Sequence, residues 1–295
     1  MSDKTLSPAT TIAAALAEAS RVLREGGVAE PRREAATLLA HALGCDRTFI
    51  ITHPEHLIDE VRLDNFAEFV QRRVLGEPVQ YIVGYQEFFG LKFLVTPAVL
   101  IPRPETELLV QEALSLTEKM KSLYICDVGT GSGCISVALT KLQPAAHVLA
   151  IDISLAAIKV AVRNAKVHNV NDRINFLISN GFDSLKVQPH FDLILSNPPY
   201  VAAAAFSGLQ REVRGYEPRI ALTAGVDGLA IIRRLLNESS RYLKSRGFLL
   251  LEIGFDQCEA VEGLARSKGW KIVNFQPDLQ GIPRIAVLQA GSQHG

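Results

Sequence analysis

The 295-residue chain balances 31 Lys and Arg against 31 Asp and Glu, which leaves no global electrostatic footprint for nucleic acid or an anionic membrane. Its polar start, Met1 to Thr10, lacks a hydrophobic signal core, and no apolar run approaches the roughly 18 residues of a membrane span. An apolar share of 48% supports a sizeable core, and the length calls for one large domain with a smaller companion. Cys45, Cys126, Cys134 and Cys258 are scattered without a Cys-x-x-Cys pair, so they read as small core hydrophobes in a reducing cytoplasm.

From Thr11 to about Leu75 the pattern is helical. Ile12, Leu16, Ala19 and Leu23 recur at helix spacing until Gly26-Gly27. Pro31 suits the first turn of a second helix with Ala35, Leu38, Leu39 and Ala42 on one face and Gly44 as its cap. A third helix carries Leu63, Phe66, Val70 and Val74 and closes at Gly76; Arg62, Arg72 and Arg73 on its polar side read as a solvated face or a docking face for an acidic partner or RNA. His53 and His56 lie between helices with no cysteine or carboxylate at ligand spacing, so no metal site is expected. Residues 1–75 therefore form a helical domain, whose placement and arginines suit it to hold a partner, and 76–107 a hairpin and linker. Tyr81, Val83 and Tyr85 alternate, Phe88-Phe89-Gly90 turns, and Leu91, Phe93 and Val95 alternate again. Pro102 and Pro104 stiffen the stretch Ile101 to Glu107, where Thr106 is placed to cap the next helix. Arg103 in that stretch belongs either to a plain linker or to the wall of a ligand cleft.

Residues 108–295 alternate strand and helix patterns, the signature of a parallel sheet covered on both faces, with about seven strands. Leu123 to Cys126 leads into Asp127-Val128-Gly129-Thr130-Gly131-Ser132-Gly133 and then a helix, Cys134 to Leu142. Such a glycine loop lets backbone approach a ligand at a helix N-terminus. Position 134 is Cys where a dinucleotide fingerprint has Gly or Ala, which tilts the loop away from NAD. The strand Val148 to Ile151 ends in Asp152, suited to a ribose diol or to capping the helix Leu155–Val167. Ile174 to Ile178 is followed by Phe182, which stacks on an adenine or packs in the core. Tyr200 to Asp227 reads as one long loop. Asp227 then caps a helix with Leu229, Ile232, Leu236 and Leu243 inward. Strands Phe248 to Ile253, Trp270 to Phe275 and Ile285 to Leu288 flank a helix from Gln257 to Lys268, and the tail from Ala290 is expected to fray.

The apolar run Phe191 to Leu195 is a buried strand that stops at Asn197-Pro198-Pro199-Tyr200. Asn197 and Tyr200 thus fall at a strand's carboxyl end, where open α/β sheets bind ligands. The arrangement suits methylation of a planar nitrogen, whose lone pair is delocalised into its π system. Two acceptors, the Asn197 side-chain oxygen and the Pro198 carbonyl, can hold the two N–H groups while Tyr200 stacks on the flat substrate.

Together with Ile101 to Glu107 and Glu217-Pro218-Arg219, these motifs resemble the release-factor glutamine methyltransferases, class I enzymes dependent on S-adenosyl-L-methionine, from about residue 10 to 290. The resemblance implies a Rossmann-like α/β fold whose seven-stranded sheet ends in an antiparallel strand. It also implies N5-methylation of the glutamine in the Gly-Gly-Gln motif of peptide chain release factors, with S-adenosyl-L-homocysteine as product. Carried over, Gly129, Thr130, Gly131, Ser132 and Gly133 line the methionine part of the cofactor, Asp152 holds the ribose, and Phe182 lies beside the adenine. Asn197 touches cofactor and substrate, and Asn197, Pro198, Pro199 and Tyr200 grip the glutamine amide. Gly181 stands where some relatives have Asp, so the adenine amino group needs another acceptor, Asn180 or backbone. The expected enzyme is a cytoplasmic monomer that binds neither nucleic acid nor membrane. The rival readings are an adenine-N6 methyltransferase of DNA or RNA, which shares Asn-Pro-Pro-Tyr, a non-catalytic module that binds a translation factor, and a dinucleotide oxidoreductase.

Overall fold

A computed structural model describes residues 10–291. Contacts divide them into two units, one of residues 10–84 with Gln210–Tyr216, the other of Tyr85–Leu209 and the chain from Glu217 onward. Of the tail expected to fray, residues 292–295 lie outside the described residues, as do residues 1–9. Among the described residues no helix is long and apolar enough to cross a membrane.

The first unit is helical. Strand β1 (Thr10–Thr11) leads into α1 (Ile12–Glu25), whose first turn is capped by the Thr11 hydroxyl accepting from the Ala14 N–H. Ile12, Ala15, Ala19 and Leu23 form its buried stripe. Helix α2 (Pro31–Leu43) starts on its proline and ends at Gly44 in the left-handed conformation, as the sequence predicts. A short α3 (Arg47–Thr52) and a strand β2 (Leu57–Ile58), paired with β1, flank the irregular stretch that holds His53 and His56. Helix α4 (Glu60–Val74) buries Phe66 and Val70. Its Arg73 corrects the expectation of a solvated basic face: the side chain is buried and ion-paired with Glu34 of α2 and with Glu212. Tyr81 to Val83 is likewise not strand but part of α5 (Val79–Val83), where the apolar alternation coincides with a single helical turn.

In the second unit, β3 (Tyr85–Phe88) and β4 (Leu91–Leu94) form the hairpin, turning at Phe89 and Gly90, both at positive φ. A 3-10 turn at Pro104–Thr106 precedes α6 (Glu107–Thr117). Then follow β5 (Leu123–Val128), α7 (Cys134–Leu142), β6 (Ala146–Asp152), α8 (Leu155–Val167), β7 (Ile174–Ile178) and β8 (Phe191–Ser196). The long loop is not featureless: it holds a 3-10 turn at Ala203–Gly208, helix α9 (Arg211–Tyr216), which belongs to the first unit, and a second 3-10 turn at Arg219–Ala221. Helix α10 (Ala230–Glu238), β9 (Leu243–Glu252), α11 (Cys258–Ser267), β10 (Lys271–Pro277) and β11 (Pro283–Gln289) complete the chain. Leu243 therefore starts a strand instead of facing inward from the α10 helix, although it is buried all the same.

The seven strands lie in the order β10-β11-β9-β8-β5-β6-β7. All neighbours from β9 to β7 are parallel, and β11 is antiparallel to both β9 and β10. From β5 the chain winds outward through β6 and β7, then crosses back to place β8 on the other side of β5. The gap above β5 and β8 is thus the switch point at which open α/β sheets bind ligands.

One buried amide ties three segments of this unit together. Asn164 on α8 donates to the carbonyls of Leu94 and Ser132 and accepts from the Leu94 N–H at 2.8 Å. It therefore joins the hairpin and the glycine loop to one helix. Asn164→Leu keeps the branched side-chain shape but strips three backbone groups of their partner, and a loss of about 3 kcal/mol is expected in urea denaturation. A loss below about 1 kcal/mol would show those groups to be satisfied in another way.

Candidate active site

A cavity of about 290 Å³ opens at the carboxyl ends of β5 to β8. Gly129, Thr130, Gly131 and Ser132 line it after β5, Asp152 at the end of β6, Asn180 to Phe182 after β7, and Asn197, Pro198 and Pro199 after β8. Four sequence-separated motifs thus meet in one place.

The loop after β5 is shaped from behind. The N–H groups of Gly129 and Thr130 both donate to the Ile151 carbonyl, at 2.8 and 2.9 Å. Asp127, fully buried, accepts from the hydroxyls of Thr130 and Ser136 at 2.7 and 2.6 Å, and burial pushes its carboxyl up to about 6. On the cavity side a Cβ added at Gly129 would meet nothing within 4 Å, so the loop is open where a ligand would lie against its backbone. Gly133 differs from the sequence expectation: a Cβ there would stand 2.9 Å from the Cβ of Ala161. It does not line the cavity and serves the close packing of α7 on α8.

Asp152 keeps its carboxylate at the cavity. One oxygen accepts from the Gly131 N–H and the other from the Ser154 N–H, both at 2.9 Å. Burial raises its pKa and these backbone donors oppose the rise. The cap of α8 is Ser154, which accepts from the Ala157 N–H, so Asp152 is not the capping residue. Phe182 is 2% exposed and stacks on Tyr242 with ring centroids 4.6 Å apart. It is a core residue that also contributes to the cavity lining.

The end of β8 is pinned by Ser196, whose hydroxyl donates to the Val128 carbonyl at 2.6 Å. Asn197 donates its amide N–H to the Thr106 hydroxyl at 3.0 Å, and Thr106 donates in turn to the Glu252 carboxylate at 2.7 Å. Thr106 does not cap α6, the role its position suggested. The side chain of Tyr200 is not among the lining groups. Burial and the nearby Glu252 push its phenol up to about 12, so it stays protonated and is no base. Its carbonyl accepts from Gln257 at 3.2 Å, and a Cβ on Gly228 would sit 2.2 Å from that same oxygen, so only glycine fits there.

The stiff segment before α6 resolves between its two readings. Leu100 and Pro102 wall the cavity, whereas Arg103 pairs with Glu217. Glu217 is buried and also accepts from the Ile101 N–H at 3.1 Å, which fixes the start of the Pro218 stretch that also lines the cavity. Glu252, Gln257 and Asn164 escape a reading of the sequence as site residues. The available signal was local: Glu252 ends the apolar run Phe248 to Leu251, where a carboxylate at a buried strand end needs a partner.

Comparison with known proteins gives two family models, the PrmC N-terminal domain over residues 14–84 and the methyltransferase small domain over 104–212. The release factor glutamine methyltransferase of Koribacter versatilis is 39% identical over 277 residues, covering 94% of this chain and 98% of that one. That of Geobacter sulfurreducens is 42% identical over 263 residues, covering 89% and 91%. Among solved structures, the hMettl16 catalytic domain in complex with MAT2A 3'UTR hairpin 1 aligns over 77% of this chain and 82% of its own, with a TM-score of 0.57. At 18% sequence identity that likeness speaks for the fold alone.

The buried Glu252 carries a pH signature. Burial pushes its carboxyl from 4.5 up to about 7, with Glu105 adding to the rise and Thr106, Arg284 and Arg103 opposing it. The folded protein therefore retains a proton that the unfolded chain has released. The associated stability is complete below about pH 4.5 and is lost as the pH rises through about 7. Glu252→Gln should flatten this fall, so that its stability relative to the parent grows between about pH 5 and 8 in urea denaturation. A pH-independent difference would contradict the assignment.

Proposed function

The chain belongs to the release factor glutamine methyltransferases, and from that premise we propose that it transfers a methyl group from S-adenosylmethionine to the side-chain amide nitrogen (N5) of the glutamine in the Gly-Gly-Gln motif of peptide chain release factors. The observation that carries the reading is the end of β8. There the Asn197 side chain has its N–H committed to Thr106, and its carbonyl oxygen is left as an acceptor beside the cavity.

The residues present fit the adenosyl cofactor. Gly129 offers open backbone to the cavity, and the Asp152 carboxylate is held there by two backbone N–H groups with lone pairs to spare for a diol. In this reading Gly129 to Ser132 hold the methionine part, Asp152 the ribose, and Phe182 borders the adenine; Gly133 supports the loop from behind. When bound, the cofactor supplies an electrophilic methyl group on a sulfonium.

The protein's own task is to orient a poor nucleophile. An amide nitrogen lends its lone pair to its carbonyl, so it attacks only when both N–H bonds are directed away from the methyl donor. Asn197 Oδ1 and the Pro198 carbonyl accept those two N–H groups, and Pro198, with no N–H of its own, presents only an acceptor. Pro199 completes the grip at the cavity, while Tyr200 anchors the turn behind it through its carbonyl, which accepts from Gln257. The nitrogen turns acidic as its new bond forms, so no strong base is required. Orientation of this kind is worth several powers of ten in rate.

The helical unit serves in this account to hold the protein substrate. The enzyme works as a cytoplasmic monomer, and neutral overall charge supports a protein partner over nucleic acid.

The test is methyl transfer from labelled S-adenosylmethionine to purified release factor, beside a factor whose Gly-Gly-Gln glutamine is replaced and beside a DNA duplex. Label on the native factor alone is expected. Label on the duplex alone, or equally on the substituted factor, would overturn the assignment.

A further inference from the structure

Asn197 has a polarity problem that backbone alone does not solve. Its side-chain oxygen and nitrogen exchange places by a half-turn about the last torsion, and only one orientation suits an amide substrate. With the oxygen toward the cavity it accepts a substrate N–H; with the nitrogen there, donor faces donor. Something must choose.

Resting on the reading of Asn197 as an acceptor for the substrate amide, we propose that Thr106 and Glu252 are positioning residues for methyl transfer, a two-step relay that fixes the orientation of the Asn197 amide. The three residues come from separate parts of the chain, the helix entry before α6, the end of β8 and the end of β9, and converge in consecutive hydrogen bonds of 3.0 and 2.7 Å. Thr106 and Glu252 are both 2% exposed, so water does not compete for either. A hydroxyl has one proton to give. Glu252 takes it, since its oxygen is the acceptor for Thr106 and a protonated carboxyl keeps its carbonyl oxygen for that role. Toward Asn197 the hydroxyl then presents only a lone pair, which the amide N–H₂ end can meet and the oxygen end cannot. The Glu252 carboxyl group therefore dictates, through one hydroxyl, that Asn197 Oδ1 is available at the cavity. An independent observation agrees: Thr106 stands at the N-cap of α6 yet makes no side-chain cap bond, so its hydroxyl is committed to the relay instead of to the helix.

The experiment compares Thr106→Val, Thr106→Ser and the double variant Thr106→Val/Glu252→Leu in steady-state methyl transfer to release factor, with cofactor affinity by calorimetry and thermal melting alongside. Thr106→Val should lower kcat by about 10- to 100-fold, with the KM for release factor and the cofactor Kd within about twofold of the parent. Thr106→Ser, which restores the hydroxyl, should return kcat to within about threefold. The double variant removes the carboxyl group that Thr106→Val leaves unpaired, so it should regain melting temperature without regaining turnover. It also carries the test if Thr106→Val alone does not fold. Unchanged kcat in Thr106→Val, a deficit confined to KM or Kd, or turnover that returns with stability in the double variant would each overturn the relay. Transfer by the parent protein in the same assay separates these failures from failure of the functional reading, in which the parent itself would be inactive.

Discussion

Two consecutive prolines end β8, and that stop governs what the sheet can do. A strand that continued past Ser196 would bury Asn197 in the ladder and satisfy its backbone with a neighbour. Pro198 and Pro199 donate no hydrogen bond and hold their φ angles, so the chain must leave the sheet at this point. It leaves at the switch point between β8 and β5, with Ser196 bonded across to the Val128 carbonyl as the last tie. The glycine loop starts one residue beyond that same carbonyl. The two motifs are therefore neighbours because the strand order makes them so, and the cavity lies where both release the chain.

Much of the catalytic unit could be read from sequence because its signals are local. Apolar runs bounded by glycine, proline and acidic residues gave β5 to β8 within one to two residues, and α7 and α8 with the bounds observed. Asp152 and Asn197 came into the site because each directly follows or closes a buried strand. The failures share another cause. Thr106 looked like a helix cap because capping is decided by the nearest residues, whereas its actual partner is Glu252, 146 residues away. Gly133 looked like its two companions in the loop, and only the arrival of Ala161 from α8 separates a packing glycine from a cavity-lining one. Tyr81 to Val83 alternates over too few residues for period two to be told from one helical turn. Arg73 lies on the polar side of its helix and is still buried, since Glu34 and Glu212 reach it from other segments.

Those long-range pairs have a common character. Arg73 with its two glutamates, Glu217 with Arg103 and the Ile101 N–H, and Glu252 with Thr106 each place a charged or titratable group out of water. Such groups are costly to bury and strongly destabilising when one partner is lost, so they define geometry more than they add net stability. Around the cavity, the Glu217 and Glu252 pairs hold lining segments: the stretch Leu100 to Thr106 and the stretch from Pro218. An orienting site needs fixed walls, because a displacement of about 1 Å can cost about 100-fold in rate.

The central claim is that catalysis here is orientation of an amide nitrogen by Asn197. Single-turnover methyl transfer by Asn197→Ala, at saturating cofactor and release factor and with the fold checked by thermal melting, tests it most directly. A fall in the transfer rate of at least about 100-fold in a folded protein is the predicted result. A folded Asn197→Ala that transfers methyl at close to the parent rate would contradict the account.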